Sequence, residues 1–100
     1  MATYDATAAK HATLTTTTVD TVRLSRWVTT VEVRNRAGGS TLWVAWRPGI
    51  VAPADVPDPT AGADELLVVP SSQSVFVDVQ AGPVTLKLLG NGNDYSVLGS

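Results

Sequence analysis

The sequence has 100 residues, of which 44% are apolar and 16% are charged, with a formal net charge of -2 and no cysteine. A chain of this length is expected to form one domain around one core, and its apolar content argues against disorder throughout. Without cysteine there can be no disulfide, no thiolate zinc site and no cysteine nucleophile. The 15 valines and 13 threonines are β-branched residues, which favour strands.

The first 18 residues are polar, with only Tyr4 and Leu14 as large apolar side chains. Such a segment buries too little surface to offset its own ordering entropy. We therefore expect a polar N-terminal arm over residues 1–18, with a short helical turn over Asp5–Ala12, which a partner can order. The arm lacks the apolar run of a secretory signal, so we expect a protein made in the cytoplasm. No apolar run approaches the roughly 20 residues of a membrane span, and no membrane partner is expected.

From Thr18 onward, apolar and polar side chains alternate with a period of two, which is typical of strands with one buried face. The alternation predicts strands at 22–24, 28–36, 42–47, 66–69, 75–79, 84–89 and 95–98, and a further polar strand is considered at 14–18. We expect the strands at 28–36 and 42–47 to form a hairpin. Asn91–Asp94 predicts a second hairpin, and Ala81-Gly82-Pro83 predicts a turn.

The fold class that follows is all-β. Residues 19–100 are predicted to form a single antiparallel β-sandwich or flattened β-barrel of seven or eight short strands, beside the extended N-terminal arm. Four prolines place a Pro-rich loop at 48–63. The inward rows predict the core: Val22, Leu24, Val31, Val33, Leu42, Val44, Trp46, Val75, Val77, Val79, Val84, Leu86, Leu88 and Val97.

Charge is distributed unevenly along the chain. Residues 23–47 contain all five arginines and carry +4, whereas residues 48–100 carry -5. Solvated strand faces explain this pattern, and the alternative is a basic face that meets an acidic face on a neighbouring subunit. Net negative charge and few exposed aromatic residues argue against a nucleic-acid partner.

No catalytic, metal or cofactor site is predicted. The single histidine, His11, lies in the polar arm, where it has neither an orienting partner nor a shielded pocket. The carboxylate pairs Asp55/Asp58 and Asp64/Glu65 lie in or beside the Pro-rich loop without the spacing of a calcium loop, and a solvated rim explains them. Trp43 shares parity with Ala45 and Arg47, so we expect it to point outward, as an interface residue or as a carbohydrate-binding platform.

The order of the segments VTTVEVRNRAG, LWVAWRPG, DELLVVPSSQSVFVDV and VTLKLLGNGNDYSVLGS resembles the small β-rich virion structural proteins of tailed bacteriophages. The likeness is greatest to capsid decoration (head-stabilising) proteins and covers residues 13–100. The Trp-x-x-Trp-Arg-Pro stretch departs from the pattern of that group.

The resemblance implies a protein of the capsid exterior that binds the major capsid protein of the mature shell, bridges capsomers and forms a homotrimer there. The alternatives are a head–tail connector or tail accessory protein, or a carbohydrate-binding β-sandwich module. Capsid or subunit contacts are expected at Tyr4, Asp5, His11, Arg34, Arg36, Trp43, Arg47, Asp55 and Asp58.

Overall fold

The computed structural model describes residues 3–14, 18–37, 40–59 and 67–100. Within these ranges the chain is all-β, as predicted, with no α-helix and one 3₁₀ turn at Pro53–Asp55. Its strands are β1 Thr3–Ala6, β2 Ala9–Thr13, β3 Val19–Ala37, β4 Leu42–Pro48, β5 Leu67–Val69, β6 Ser74–Leu89 and β7 Asp94–Gly99.

The described strands form one curled sheet, a half-barrel, in the order β2-β7-β3-β6-β4-β5. Neighbours in this order are antiparallel, whereas β1 lies parallel to the first part of β3. One long strand, β3, organises the sheet, since it pairs with β6 along one side and with β1 and then β7 along the other.

Two predicted strands merge in each of β3 and β6. The turn expected at Ala81-Gly82-Pro83 is instead part of continuous β6, opposite register shifts on either side of Val28. Gly82 has a φ of 140°, which a residue with a Cβ rarely adopts. A glycine-centred bulge therefore bends the two strands without ending them.

Both predicted hairpins are wrong. Strand β4 pairs with β6 and β5 instead of β3, and β7 pairs with β3 and β2 instead of β6. Asn91–Asp94 does contain a bend, in which Gly92 has a φ of 72°, but the bend carries the chain past β3 to its far side. Turn chemistry fixes a local reversal, and the choice of partner strand depends on distant residues.

The helical turn expected over Asp5–Ala12 is also wrong. Thr3–Ala6 pairs with Thr21–Leu24, and Ala9–Thr13 pairs with Asp94–Leu98. Tyr4, Ala6 and Ala12 pack against the core from these strands. Alternation of exposed and half-buried residues follows the strand period here too. The division of the chain into an arm and a domain at residue 18 remains a prediction.

The predicted core lies on the inner side of the curled sheet. Eleven of its fourteen predicted members are buried, and Trp46, Val75 and Val77 pack half-buried against them. The alternation did not mark several further buried side chains: Leu14, Val28, Ala45, Val56, Val69 and Tyr95.

The loop after β4 covers the outer side of β4 and of the last part of β6. Val51 N–H donates to Thr85 Oγ1 at 3.2 Å, and Lys87 Nζ donates to Asp58 Oδ1 at 2.6 Å. Thr85 and Lys87 are consequently buried although they alternate with core residues. Both faces of the sheet are therefore covered here.

Some predictions concern residues that lie outside the described ranges. These are residues 60–63 of the predicted loop, the carboxylates Asp64 and Glu65, most of the polar strand expected at 14–18, and Leu66 of the strand expected at 66–69.

Candidate functional site

The strand register brings distant residues together on one side of the sheet. In one cross-strand row, Ala9 lies beside Leu98, Leu98 beside Glu32, and Glu32 beside Phe76. In the next row, His11, Ser96, Arg34 and Ser74 follow each other in the same way. Side chains two apart on a strand share a face, and the residues between these positions on β3 and β7, such as Val33 and Val97, belong to the core. We call the eight residues of the two rows the outer face.

Hydrogen bonds and one ion pair tie the outer face together. His11 Nδ1 lies 2.6 Å from Ser96 Oγ. Arg34 donates from Nε and Nη2 to the two carboxylate oxygens of Glu32, at 2.7 and 3.3 Å. This hydrogen bonding by Arg34 holds the pKa of Glu32 below its usual range. The face is therefore polar, but its charges are largely balanced within the chain.

Phe76 is the large apolar side chain of the outer face, and 68% of it is exposed. It was not among the predicted contact residues, although its parity opposite to Val75 and Val77 indicates an outward position. A bare aromatic ring beside an arginine–glutamate pair has the composition of a protein interface. Trp27, which is 70% exposed, lies at the bulge of β3, outside the two rows.

An open depression of about 330 Å³ borders the outer face, lined by Arg34, Asn35, Arg36 and the turn 72–74. Arg36 is exposed and donates from Nη2 to the carbonyl oxygen of Tyr95 at 3.3 Å. The structure thus brings three of the predicted contact residues, His11, Arg34 and Arg36, to the same end of the sheet.

Two more predicted residues, Tyr4 and Asp5, lie on β1. Tyr4 faces the core, and the Lys10 ammonium sits 4.4 Å from the centre of its ring. Asp5 is exposed and forms an ion pair with Arg23, whose hydrogen bonds lower the pKa of the Asp5 carboxyl. Asp5 is therefore already engaged within the chain.

The remaining predicted residues lie on β4 and in the loop that follows it. Arg47 folds back onto the carbonyl oxygen of Trp46. Asp55 is exposed in the 3₁₀ turn, and Asp58 accepts a hydrogen bond from Lys87. Trp43 alternates with Leu42 and Val44 as predicted, but it is half-buried between its neighbours Leu89 and Val68. A half-buried ring does not offer the open platform that the carbohydrate hypothesis requires.

The hydrogen-bonded pair His11–Ser96 has the residue types of a general base and a nucleophile. In the part of the chain that the structure describes, no carboxylate hydrogen-bonds to His11, and Ser96 is only 1% exposed. Nucleophilic catalysis requires an oriented base and a nucleophile that substrate can reach. Nor do three or more histidine, aspartate or glutamate side chains converge as metal ligands within the described ranges.

No helix among the described residues is long and apolar enough to span a membrane. No family model matches the chain, and no curated protein matches it significantly.

Proposed function

We propose that this protein is a non-enzymatic component of a bacteriophage virion, a decoration protein that binds the outer surface of the mature capsid. The observation that carries the proposal is the outer face, where Phe76 stands exposed beside the ion pair of Glu32 and Arg34 on a hydrogen-bonded sheet. Such a surface suits contact with another protein, because an apolar anchor surrounded by polar groups gives both affinity and orientation.

The bacteriophage part of the proposal follows from the sequence resemblance, and the structure supports the contact part. A decoration protein must resist deformation while it is held through one side. The outer face meets that requirement, since it is built on four paired strands whose opposite side is core. Many copies on one shell also allow weak single contacts to act together.

The test is co-sedimentation of the purified protein with mature capsid shells of a tailed bacteriophage that encodes it. Arg34→Glu should weaken binding at least about tenfold, since it reverses charge in the centre of the outer face and places two acidic side chains side by side. Arg26→Glu makes the same charge change on the same strand, outside the outer face, and should leave binding within about twofold.

Equal losses for the two variants would contradict the assignment of the outer face. Failure of the unaltered protein to bind shells would overturn the decoration proposal, and binding to purified tails instead would assign it to the tail. Both variants must keep the melting temperature of the unaltered protein, measured by circular dichroism, before binding is compared.

A further inference from the structure

One edge of the sheet lies beside Phe76. Strand β6 pairs with β3 from Ser74 to Asp78, but β4 pairs with β6 only from Val84 to Leu89. Within the described ranges, no strand pairs with the other side of Ser74–Asp78. A strand edge of this kind is a template for pairing with another extended chain.

The hydrogen-bond pattern shows which backbone groups face this edge. Asn35 N–H donates to the carbonyl oxygen of Gln73, and Thr30 exchanges two hydrogen bonds with Ser100 on the other side of β3. In an antiparallel ladder, successive residues of a strand bond alternately to either side. Asn35, Val33 and Val31 therefore bond toward β6, opposite Gln73, Val75 and Val77.

The intervening residues of β6 consequently direct their backbone groups away from β3. These residues are Ser74, Phe76 and Asp78, and their side chains are exposed on the outside of the sheet. Natural sheets commonly protect such an edge with lysine, proline or a bulge. Between Ser74 and Asp78 the only charged residue is Asp78, and the bulge follows later, at Gly82.

We propose that this edge pairs with the same edge of a second copy, antiparallel and across a two-fold axis at Phe76. In this register, Phe76 lies opposite Phe76 of the second copy, and Ser74 lies opposite Asp78 of the second copy. Every one of these positions directs its backbone groups at the partner, so all three pairs are hydrogen-bonded pairs. Dimerisation makes one sheet of the two half-barrels.

Side chains favour a second copy as the occupant, because the segment complements itself. Two exposed Phe76 rings meet as a cross-strand aromatic pair, which removes apolar surface from water. Half-buried Val75 and Val77 meet Val77 and Val75 of the second copy on the inner side. The long side chain of Arg34, the neighbour of Ser74 on β3, lies in the same row as Asp78 of the second copy.

Neighbouring registers lack this match. Moving the axis to residue 75 or 77 offsets the two phenylalanines and shortens the paired segment. Moving it to Asp78 places two aspartates directly opposite each other, which destabilises a strand pair. The two-fold contact does not depend on capsid binding, although it uses Phe76 and Ser74, which also belong to the outer face.

Disulfide trapping tests the register directly, since the chain has no cysteine of its own. Directly opposed residues of a hydrogen-bonded pair have Cα atoms about 5.5 Å apart, within disulfide range. Ser74→Cys and Asp78→Cys are made separately and mixed under mild oxidant. The mixture should give a covalent dimer containing one of each variant, identified by mass spectrometry.

Each variant alone is the matched control. In the proposed register, residue 74 and its own counterpart are four residues apart along the strands, about 14 Å, which is too far for a disulfide. Rapid cross-linking of either variant alone, or no cross-linking in the mixture, would overturn the proposed pairing. Trp27→Cys, at the other exposed aromatic position, should also give no covalent dimer.

Sedimentation equilibrium of the unaltered protein, at concentrations up to about 1 mM, measures the dimer without a cross-link, because a single strand pair is a small interface. Ser74→Asp should weaken it about tenfold, since an acidic side chain then faces Asp78 of the second copy twice per dimer. The double variant Ser74→Asp/Asp78→Ser exchanges the two side chains and should restore dimerisation. A protein that stays monomeric, or a double variant as weak as Ser74→Asp, contradicts the proposal.

Discussion

The paired strands β3 and β6 have two halves with very different surroundings. In the first, the covered half, Val19–Leu24 pairs with Val84–Leu89 and the loop after β4 lies over the outer side. In the second, the open half, Thr30–Arg34 pairs with Ser74–Asp78 and the outer side is exposed. Buried Thr85 and exposed Phe76 occupy equivalent outward positions in the two halves. Burial of an outward residue thus depends on what lies over the sheet, and the surfaces for binding lie on the open half.

The largest contrast between the halves should come from introducing a charge. Leu86→Asp places a carboxylate among fully buried side chains of the covered half and should leave the protein unfolded. Phe76→Asp makes a similar change in the open half, where the side chain is already in water, and should leave it folded. Circular dichroism and thermal melting check both, and equal destabilisation would contradict the contrast.

A hydrogen bond in the interior, between Tyr95 and Asp20, links the two halves. Tyr95 is on β7, which pairs with β3 along the open half, and Asp20 is at the start of β3 in the covered half. The Tyr95 hydroxyl donates to Asp20 Oδ2 at 3.1 Å. Tyr95→Phe leaves buried Asp20 without this donor and should cost about 1–3 kcal/mol at neutral pH in urea unfolding. Tyr4→Phe, which removes the other tyrosine hydroxyl, should cost less.

The same residue predicts alkaline sensitivity. Burial, followed by the charge of Asp20, raises the pKa of Tyr95. The folded protein therefore holds this proton more tightly than the unfolded chain, whose tyrosine pKa is about 10. The resulting stability is complete below pH 10 and is lost as the pH rises beyond it. Urea unfolding at about pH 8 and about pH 11 should show a smaller decrease for Tyr95→Phe than for the unaltered protein.

A smaller loss of stability should follow from removing the ion pair between Lys87 and Asp58, which holds the loop after β4 over the covered half. The Lys87 side chain is 5% exposed, whereas the Asp58 side chain is 68% exposed. Asp58→Ala leaves a buried ammonium without its partner and should destabilise by about 1–2 kcal/mol. Lys87→Met leaves only a solvated carboxylate and should cost less. If urea unfolding shows a larger loss of stability for Lys87→Met than for Asp58→Ala, the charge of buried Lys87 is not what makes Asp58 important.

The smallest effect should come from the exposed ion pairs. Asp5→Asn and Glu32→Gln remove the partners of Arg23 and Arg34, and each should lower the melting temperature only slightly, because exposed ion pairs contribute little to stability. Both carboxyls have lowered pKa values, so their contribution is present above the ordinary carboxyl pKa and is lost as the pH falls. Each variant should therefore melt slightly below the unaltered protein at neutral pH. At about pH 3 this difference in melting temperature should be smaller still.

For individual residues of the candidate site, the sequence predicts whether the side chain points outward or inward. Alternation predicts that Arg34 points outward and that Val33 points inward, as observed. It also indicates that Phe76 is outward, which the predicted contact residues omitted. The sequence could not show that His11 lies in one row with Arg34, because the two residues are on strands that are not adjacent and meet only through Ser96 of β7.

By itself, the sequence determined the all-β class and most of the core, because the two faces of a strand are set by a local period of two. Tertiary structure decided which strands are neighbours: β4 lies beside β6, β7 beside β3, and the N-terminal residues become two strands of the sheet. Backbone hydrogen bonds are the same for any pair of strands, so only the joint burial of distant side chains selects the partners. The same selection covers one half of β6 and leaves the edge at Phe76 open.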